Sequence, residues 1–225
     1  MGCNIAIDGP AGAGKSTIAK MVAEELSFIY VDTGAMYRAI ALYLLDQGVK
    51  GDDPSQIEAL CSGADISIEY KDGEQLVILN GENVNAKIRT EQVGNMASVS
   101  SANAKVREHL LKLQRTLAAK NDVVMDGRDI GTTILPDAEV KIYLTASADT
   151  RAKRRALEYE QKGVPFNLEE IRRDIVERDE RDMNREVSPL KQAEDAVLVD
   201  SSEMGIREVV DAILAVYKEK VGTAI

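Results

Sequence analysis

Short unbroken apolar runs along the chain alternate with longer stretches in which apolar residues recur every three or four positions. The short runs are Cys3–Asp8, Phe28–Asp32, Val123–Asp126, Val140–Leu144 and Ala196–Asp200, rich in Val and Ile and closed by turn residues. They read as buried strands. Between them, Ile18, Met21, Val22 and Leu26 mark one helical face, and Val106, Leu110, Leu113 and Leu117 mark another. A last helix carries Ile206, Val209, Val210, Ile213, Leu214 and Tyr217. Strands that are apolar on both faces and alternate with helices predict a parallel sheet covered on both sides, an α/β fold.

One stretch breaks the alternation. From Ala64 to Asn85 the period becomes two, through Ile66, Ile68 and Tyr70, then Leu76 and Ile78, then Val84. Asp72-Gly73 and Asn80-Gly81 fall where tight hairpin turns belong. The pattern predicts a small antiparallel meander inserted in the α/β domain.

Composition narrows the class. The chain has 225 residues, 44% hydrophobic and 29% charged, which is globular and long enough to bury its own core. A net charge of −10 argues against a nucleic-acid partner, whose phosphates need a basic face. Cys3 and Cys61 are far apart and match no metal or redox spacing. No run approaches the ~20 apolar residues of a membrane span, and no basic segment precedes an apolar one at the start. The expectation is a soluble, cytoplasmic monomer that binds no membrane. Charge is unevenly spread, however. Residues 151–185 hold ten of the 28 basic residues, eight of them Arg, against nine acidic ones. A solvated face laced with ion pairs and a phosphate-binding cluster are both compatible with that segment.

The chemistry is carried by Gly9-Pro10-Ala11-Gly12-Ala13-Gly14-Lys15-Ser16, followed by Thr17. It matches G-x-x-x-x-G-K-[ST] and lies between the first strand and the first helix, the setting this phosphate-binding loop needs. The glycines let backbone N–H groups turn inward as an anion nest, and the helix adds its positive end. Lys15 can bridge the β- and γ-phosphates of ATP, and the Ser16 hydroxyl can ligate Mg²⁺. Asp126 ends the run Val123-Val124-Met125, where a metal-organising acid belongs, acting on Mg²⁺ through water. A carboxylate there can also simply cap a turn. No Asn-Lys-x-Asp guanine-reading sequence occurs, and Arg38 and Arg128 add to the Arg surplus near strand ends. Arg178, Asp182 and Arg185, at i, i+4 and i+7, are expected on one helix face. Two anionic nucleotides brought together need such cations, which points to phosphoryl transfer onto a phosphorylated acceptor. His109, the single histidine, reads as structural; an ionised phosphate acceptor needs no general base.

Five stretches together resemble the bacterial type of cytidylate kinase, among the nucleoside monophosphate kinases. They are Ile7–Thr17, Asp32-Thr-Gly-Ala-Met-Tyr-Arg38, Ile88-Arg-Thr90, Asp126-Gly-Arg-Asp-Ile-Gly-Thr132 and Arg178-Asp-Glu-Arg-Asp-Met-Asn-Arg185. The resemblance implies a single P-loop kinase domain over residues 1–225 with a five-stranded parallel core. It also implies a monophosphate-binding insert at 64–98 and a helical lid at 151–168. The implied reaction moves the γ-phosphoryl group of ATP to CMP or dCMP, giving ADP and CDP or dCDP, with Mg²⁺. Carried over residue by residue, Thr33, Tyr37 and Arg38 would contact the acceptor's sugar and phosphate. Ser98, Arg107 and Asp129 would face the cytosine, Arg128 and Arg185 would hold phosphate groups, and Arg178 with Asp182 the ribose. Lys15, Arg128, Arg178 and Arg185 would form the catalytic set. Arg151, Arg154 and Arg155 would reach ATP when the lid closes. Thr33 stands where relatives often carry Ser, and Ser16-Thr17 where some carry Gly-Thr. Other readings of the P-loop are a kinase for UMP, dTMP or shikimate, or a non-catalytic ATP-binding regulator.

Overall fold

The computed structural model describes residues 2–51 and 53–222. The chain runs β1 (Asn4–Asp8), α1 (Lys15–Leu26), β2 (Ile29–Asp32), α2 (Thr33–Asp46), α3 (Pro54–Leu60), β3 (Ile66–Lys71), β4 (Glu74–Leu79) and β5 (Glu82–Asn83). It continues through α4 (Glu91–Ser100), α5 (Ala104–Lys120), β6 (Val123–Gly127), β7 (Val140–Thr145), α6 (Ala148–Gln161), α7 (Leu168–Asn184), β8 (Val197–Asp200) and α8 (Ile206–Val221). Five strands form the parallel sheet in the order β2-β6-β1-β7-β8, and β3-β4-β5 form a separate sheet. The apolar runs and the period-two stretch therefore become the two sheets that the sequence pattern predicts.

By contact density the chain divides into two compact units. One holds Tyr30–Asn121; the other holds Cys3–Ile29 and the chain from Asp122 onward. In the second unit, β1 lies between β6 and β7 and pairs in parallel with both. Ile5 and Ile7 are wholly buried, which is why this strand is apolar on both faces. The register sets Asp8 opposite Gly127 and Tyr143, so the loops leaving β1 and β6 emerge side by side at the carboxyl edge, where open α/β sheets bind ligands. The α6–α7 hairpin has a small core of its own, Ala152, Ala156, Ile171 and Ile175. On α8, Val209, Val210, Ile213 and Tyr217 are buried, while Ile206 in the first turn is exposed.

In the first unit, both expected hairpin turns form. Asp72 and Gly73 have φ of 53° and 78°, and Asn80 and Gly81 have 50° and 82°. Two successive positive φ values are the twist-matched turn that Asp-Gly and Asn-Gly favour. The buried line of α5 is Val106, Leu110, Gln114 and Ala118 rather than the expected Leu113 and Leu117, which are half-buried. The buried line advances in steps of four and so passes between the two leucines, through a glutamine. His109 sits on this helix with its Nε2 donating to the Ala64 carbonyl at 2.7 Å, a bond that ties the helix to the start of the meander.

Candidate active site

Each turn of the P-loop has a steric reason. A Cβ at Gly9 would lie 1.9 Å from the Leu144 carbonyl oxygen of β7, so no other residue fits there. Gly14 caps α1 in the left-handed conformation, with φ of 89°, and turns the chain directly into the helix. Lys15 is buried, and its ammonium donates to the Pro10 carbonyl at 2.8 Å, folding the side chain back over the loop. Burial, and after it the Arg128 guanidinium, pushes this ammonium down to about 7; Asp126, Asp8 and Asp182 pull the other way. A cation held so far from its preferred solvation favours arrival of an anion.

The Ser16 hydroxyl donates to Asp126 Oδ2 at 3.0 Å. A hydroxyl and a buried carboxylate in contact beside the P-loop form an oxygen donor pair suited to a hard divalent cation that takes its other ligands from phosphates and water. Among the described residues, no group of three or more His, Cys, Asp or Glu side chains forms a complete protein cage for a metal.

Beyond β6 the chain enters Arg128 and Asp129 and then a wide turn over Ile130–Ile134, closed by the Leu135 N–H donating to the Ile130 carbonyl at 2.7 Å. Arg128 Nε donates to Asp182 Oδ2 at 2.9 Å, and Arg185 forms an ion pair with Asp129 at 3.6 Å. Burial would raise the Asp182 pKa, but Arg128, Arg178 and Arg185 outweigh it and hold this carboxyl below its usual range. Expected on one helix face with Arg178 and Asp182, Arg185 instead lies outside α7. The helix ends at Asn184, and Arg185 is extended, with φ −63° and ψ 142°. Its Nε donates to the Ser188 carbonyl at 2.7 Å. The physical reason is that chain exit at the helix end, rather than helical spacing, aims this guanidinium at Asp129.

On α6, Arg151 is buried and committed to three partners. It donates to the carbonyls of Ala146 at 2.9 Å and of Ala11 in the P-loop at 3.0 Å, and pairs with Asp179 of α7 at 2.6 Å. Arg154 donates to the Ser201 hydroxyl and carbonyl, and Arg155 stacks over Tyr159 at 5.5 Å. Gly163, with φ of 65°, turns the chain between α6 and α7 as the Gly-x-Pro sequence suggests.

Within the other unit, Asp32 organises Thr33, Tyr37 and Arg38. Its Oδ1 caps α2 by accepting from Ala35 N–H at 2.9 Å, and Arg89 pairs with its Oδ2 at 2.7 Å. Gln75 of β4 grips the backbone of Asp32 from both sides, accepting its N–H at 2.8 Å and donating to its carbonyl at 3.2 Å. Arg38 donates to the Ile88 carbonyl at 3.2 Å and packs so close to Gly94 that a Cβ there would meet its Nη1 at 2.9 Å. The Arg107 guanidinium lies over the Tyr37 ring at 5.4 Å and also donates to the Ser101 carbonyl. Ser98 is buried on α4, its carbonyl accepting from the Ser101 hydroxyl.

Three contributors escape the sequence reading. Gln75 carried no signal, because an amide in a meander reads as surface. Arg89 and Asp8 lie inside the quoted motifs, but only the fold shows what they hold.

A family model described as cytidylate kinase matches residues 5–219. A cytidylate kinase of Caldicellulosiruptor saccharolyticus is 48% identical over 222 residues, covering 99% of this chain and 98% of that protein. One from Caldicellulosiruptor bescii is 50% identical over 95% of each chain, and one from a Geobacillus species is 49% identical over 97% of each.

Proposed function

The chain belongs to the cytidylate kinase family, and on that premise we propose that it transfers the γ-phosphoryl group of ATP to CMP and dCMP. The observation that carries this reading is the ring of charge around Lys15. Arg128, Asp126, Asp8 and Asp182 all lie within electrostatic reach of its ammonium, and Arg128 and Asp182 are paired. A P-loop lysine beside a braced arginine suits a reaction in which negative charge moves between two phosphates.

In the step itself, an oxygen of the acceptor's phosphate attacks the γ-phosphorus. The bond from that phosphorus to the bridging oxygen breaks, and ADP leaves with the electron pair. The attacking oxygen needs no base, since a phosphomonoester's second pKa is ~6. Lys15 and the P-loop N–H groups hold the donor phosphates, and Arg128 and Arg185 hold the transferred group and the acceptor phosphate. Arg178 and Asp182 hold the ribose. Thr33, Tyr37 and Arg38 contact the acceptor's sugar and phosphate, and Ser98, Arg107 and Asp129 read cytosine. Ser16 and Asp126 would hold Mg²⁺, which when bound supplies positive charge at the phosphates.

We assign residues 64–98 to acceptor binding and 151–168 to a lid. Supporting the lid are the Gly163 turn, the Arg side chains of α6, and the exposed Leu157, Val164 and Phe166. A cover over the phosphates limits wasteful hydrolysis of ATP. Amide exchange across 151–168 slows when both nucleotides, or a bisubstrate analogue, are bound. Unchanged exchange over the whole segment would remove the lid from the mechanism. The reading as a whole is tested by measuring ADP formation with CMP against other acceptors.

A further inference from the structure

Asp8 closes β1 one residue before the P-loop. Its side chain is 5% exposed and lies within electrostatic reach of the Lys15 ammonium. Its Oδ1 accepts the N–H of Ile130 and its Oδ2 the N–H of Gly131, both at 2.8 Å. We propose that Asp8 is a positioning residue that locks the Arg128–Asp129 loop to the P-loop strand, and so sets where the acceptor's base and phosphate are held. The proposal rests on the reading of Arg128 and Asp129 as acceptor contacts.

The geometry explains why a carboxylate is kept in an unfavourable place. Burial drives its pKa up to about 6, and the neighbouring Asp129 carboxylate pushes the same way, while the two N–H bonds and Lys15 oppose the rise. A residue of lower charge would avoid that cost. Only a carboxylate, however, offers two acceptors to two adjacent N–H groups at the start of a turn, where backbone donors have no partner of their own. Asparagine would present its NH₂ to one of them. A second side chain packs on the turn beside Asp8. A Cβ on Gly131 would stand 3.1 Å from Lys141 Cδ and 3.5 Å from Asp8 Oδ2, and Lys141 is itself fixed by Asp195 and the Pro136 carbonyl. Held by these contacts, the turn fixes the two residues that precede it.

Asp8→Asn tests this with two readouts. Amide exchange at Ile130 and Gly131 is expected to rise about tenfold or more relative to Val124 and Met125. The kcat/KM for CMP is expected to fall ~10–100-fold, with a falling CMP-over-UMP ratio. In an Asp129→Asn background, Asp8→Asn should lower the CMP-over-UMP ratio no further, because it acts through that side chain. Gly131→Ala, which keeps the Asp8 carboxylate but crowds the turn against Lys141 and Asp8 Oδ2, should reproduce the loss of CMP selectivity and serves if Asp8→Asn does not fold. Unchanged exchange at Ile130 and Gly131 overturns the proposal. So does equal loss of CMP and UMP activity, which marks Asp8 as a fold residue. Failure of the parent enzyme to phosphorylate CMP is a different result: it removes the cytidylate kinase reading, and the exchange measurement alone then decides whether Asp8 holds the loop.

Discussion

Replacing Lys15 with Ala is expected to lower phosphoryl transfer by about 10³-fold or more, since cations and donors aimed at a moving phosphoryl charge are worth that much or more. Lys15 is the buried cation of the P-loop, folded onto the Pro10 carbonyl and surrounded by Asp8, Asp126 and Asp182. Its removal leaves the loop backbone intact, because Gly9 and Gly14 set the turn geometry. The loss should therefore fall on kcat and on ATP binding, with little change in melting temperature. Steady-state kinetics alongside a thermal melt check this. Near-normal turnover in a folded Lys15→Ala enzyme would show that the ammonium is not at the phosphates.

The second large effect concerns base choice. Cytosine presents an amino donor at N4 where uracil presents a carbonyl acceptor, and an ionised carboxylate can only accept. In its proposed role, Asp129 as a carboxylate would attract the one and reject the other. It is 2% exposed and lies 3.6 Å from Arg185, so a purely anchoring role has a concrete partner. Asp129→Asn can turn its amide to donate to O4, and the CMP-over-UMP ratio of kcat/KM should fall by ~1–3 kcal/mol. CMP activity suffers while UMP activity holds or rises. If both substrates lose equally and the ratio stays put, Asp129 is the anchor of Arg185, and selectivity resides with Ser98 and Arg107.

Much of this architecture can be read from the residues alone, for physical reasons that differ by element. The inner strands β1, β6 and β7 are legible because strands buried on both faces must be largely apolar, and the outer β2 and β8, only partly buried, still carry short apolar runs. The meander is legible because Asp72-Gly73 and Asn80-Gly81 both adopt the positive φ that their residue types tolerate. The P-loop is legible because its spacing is tied to a strand–helix setting, and Asp126 because it closes an apolar strand; that the Ser16 hydroxyl donates to Asp126 at 3.0 Å is shown only by the fold. What stays hidden depends on long-range closure. Helical spacing put Arg185 on α7, yet the helix stops one residue earlier, and no local pattern marks that stop. Gln75 and Arg89 grip Asp32 across 43 and 57 residues of chain, and Asp8 grips a turn more than a hundred residues away. An acid at a strand end looks the same in sequence whether it holds a metal, a cap or a distant loop.

The central claim is that the phosphate accepted here belongs to a cytosine nucleotide, and one acceptor panel tests it directly. Purified protein with ATP and Mg²⁺ is given CMP, dCMP, UMP, dTMP or shikimate, and ADP formation is followed for each at several concentrations. The account predicts rapid ADP formation with CMP and dCMP, a lower kcat/KM for UMP, and little above background hydrolysis with dTMP or shikimate. A higher kcat/KM for any of those other acceptors, or no acceptor-dependent ADP at all, would contradict it.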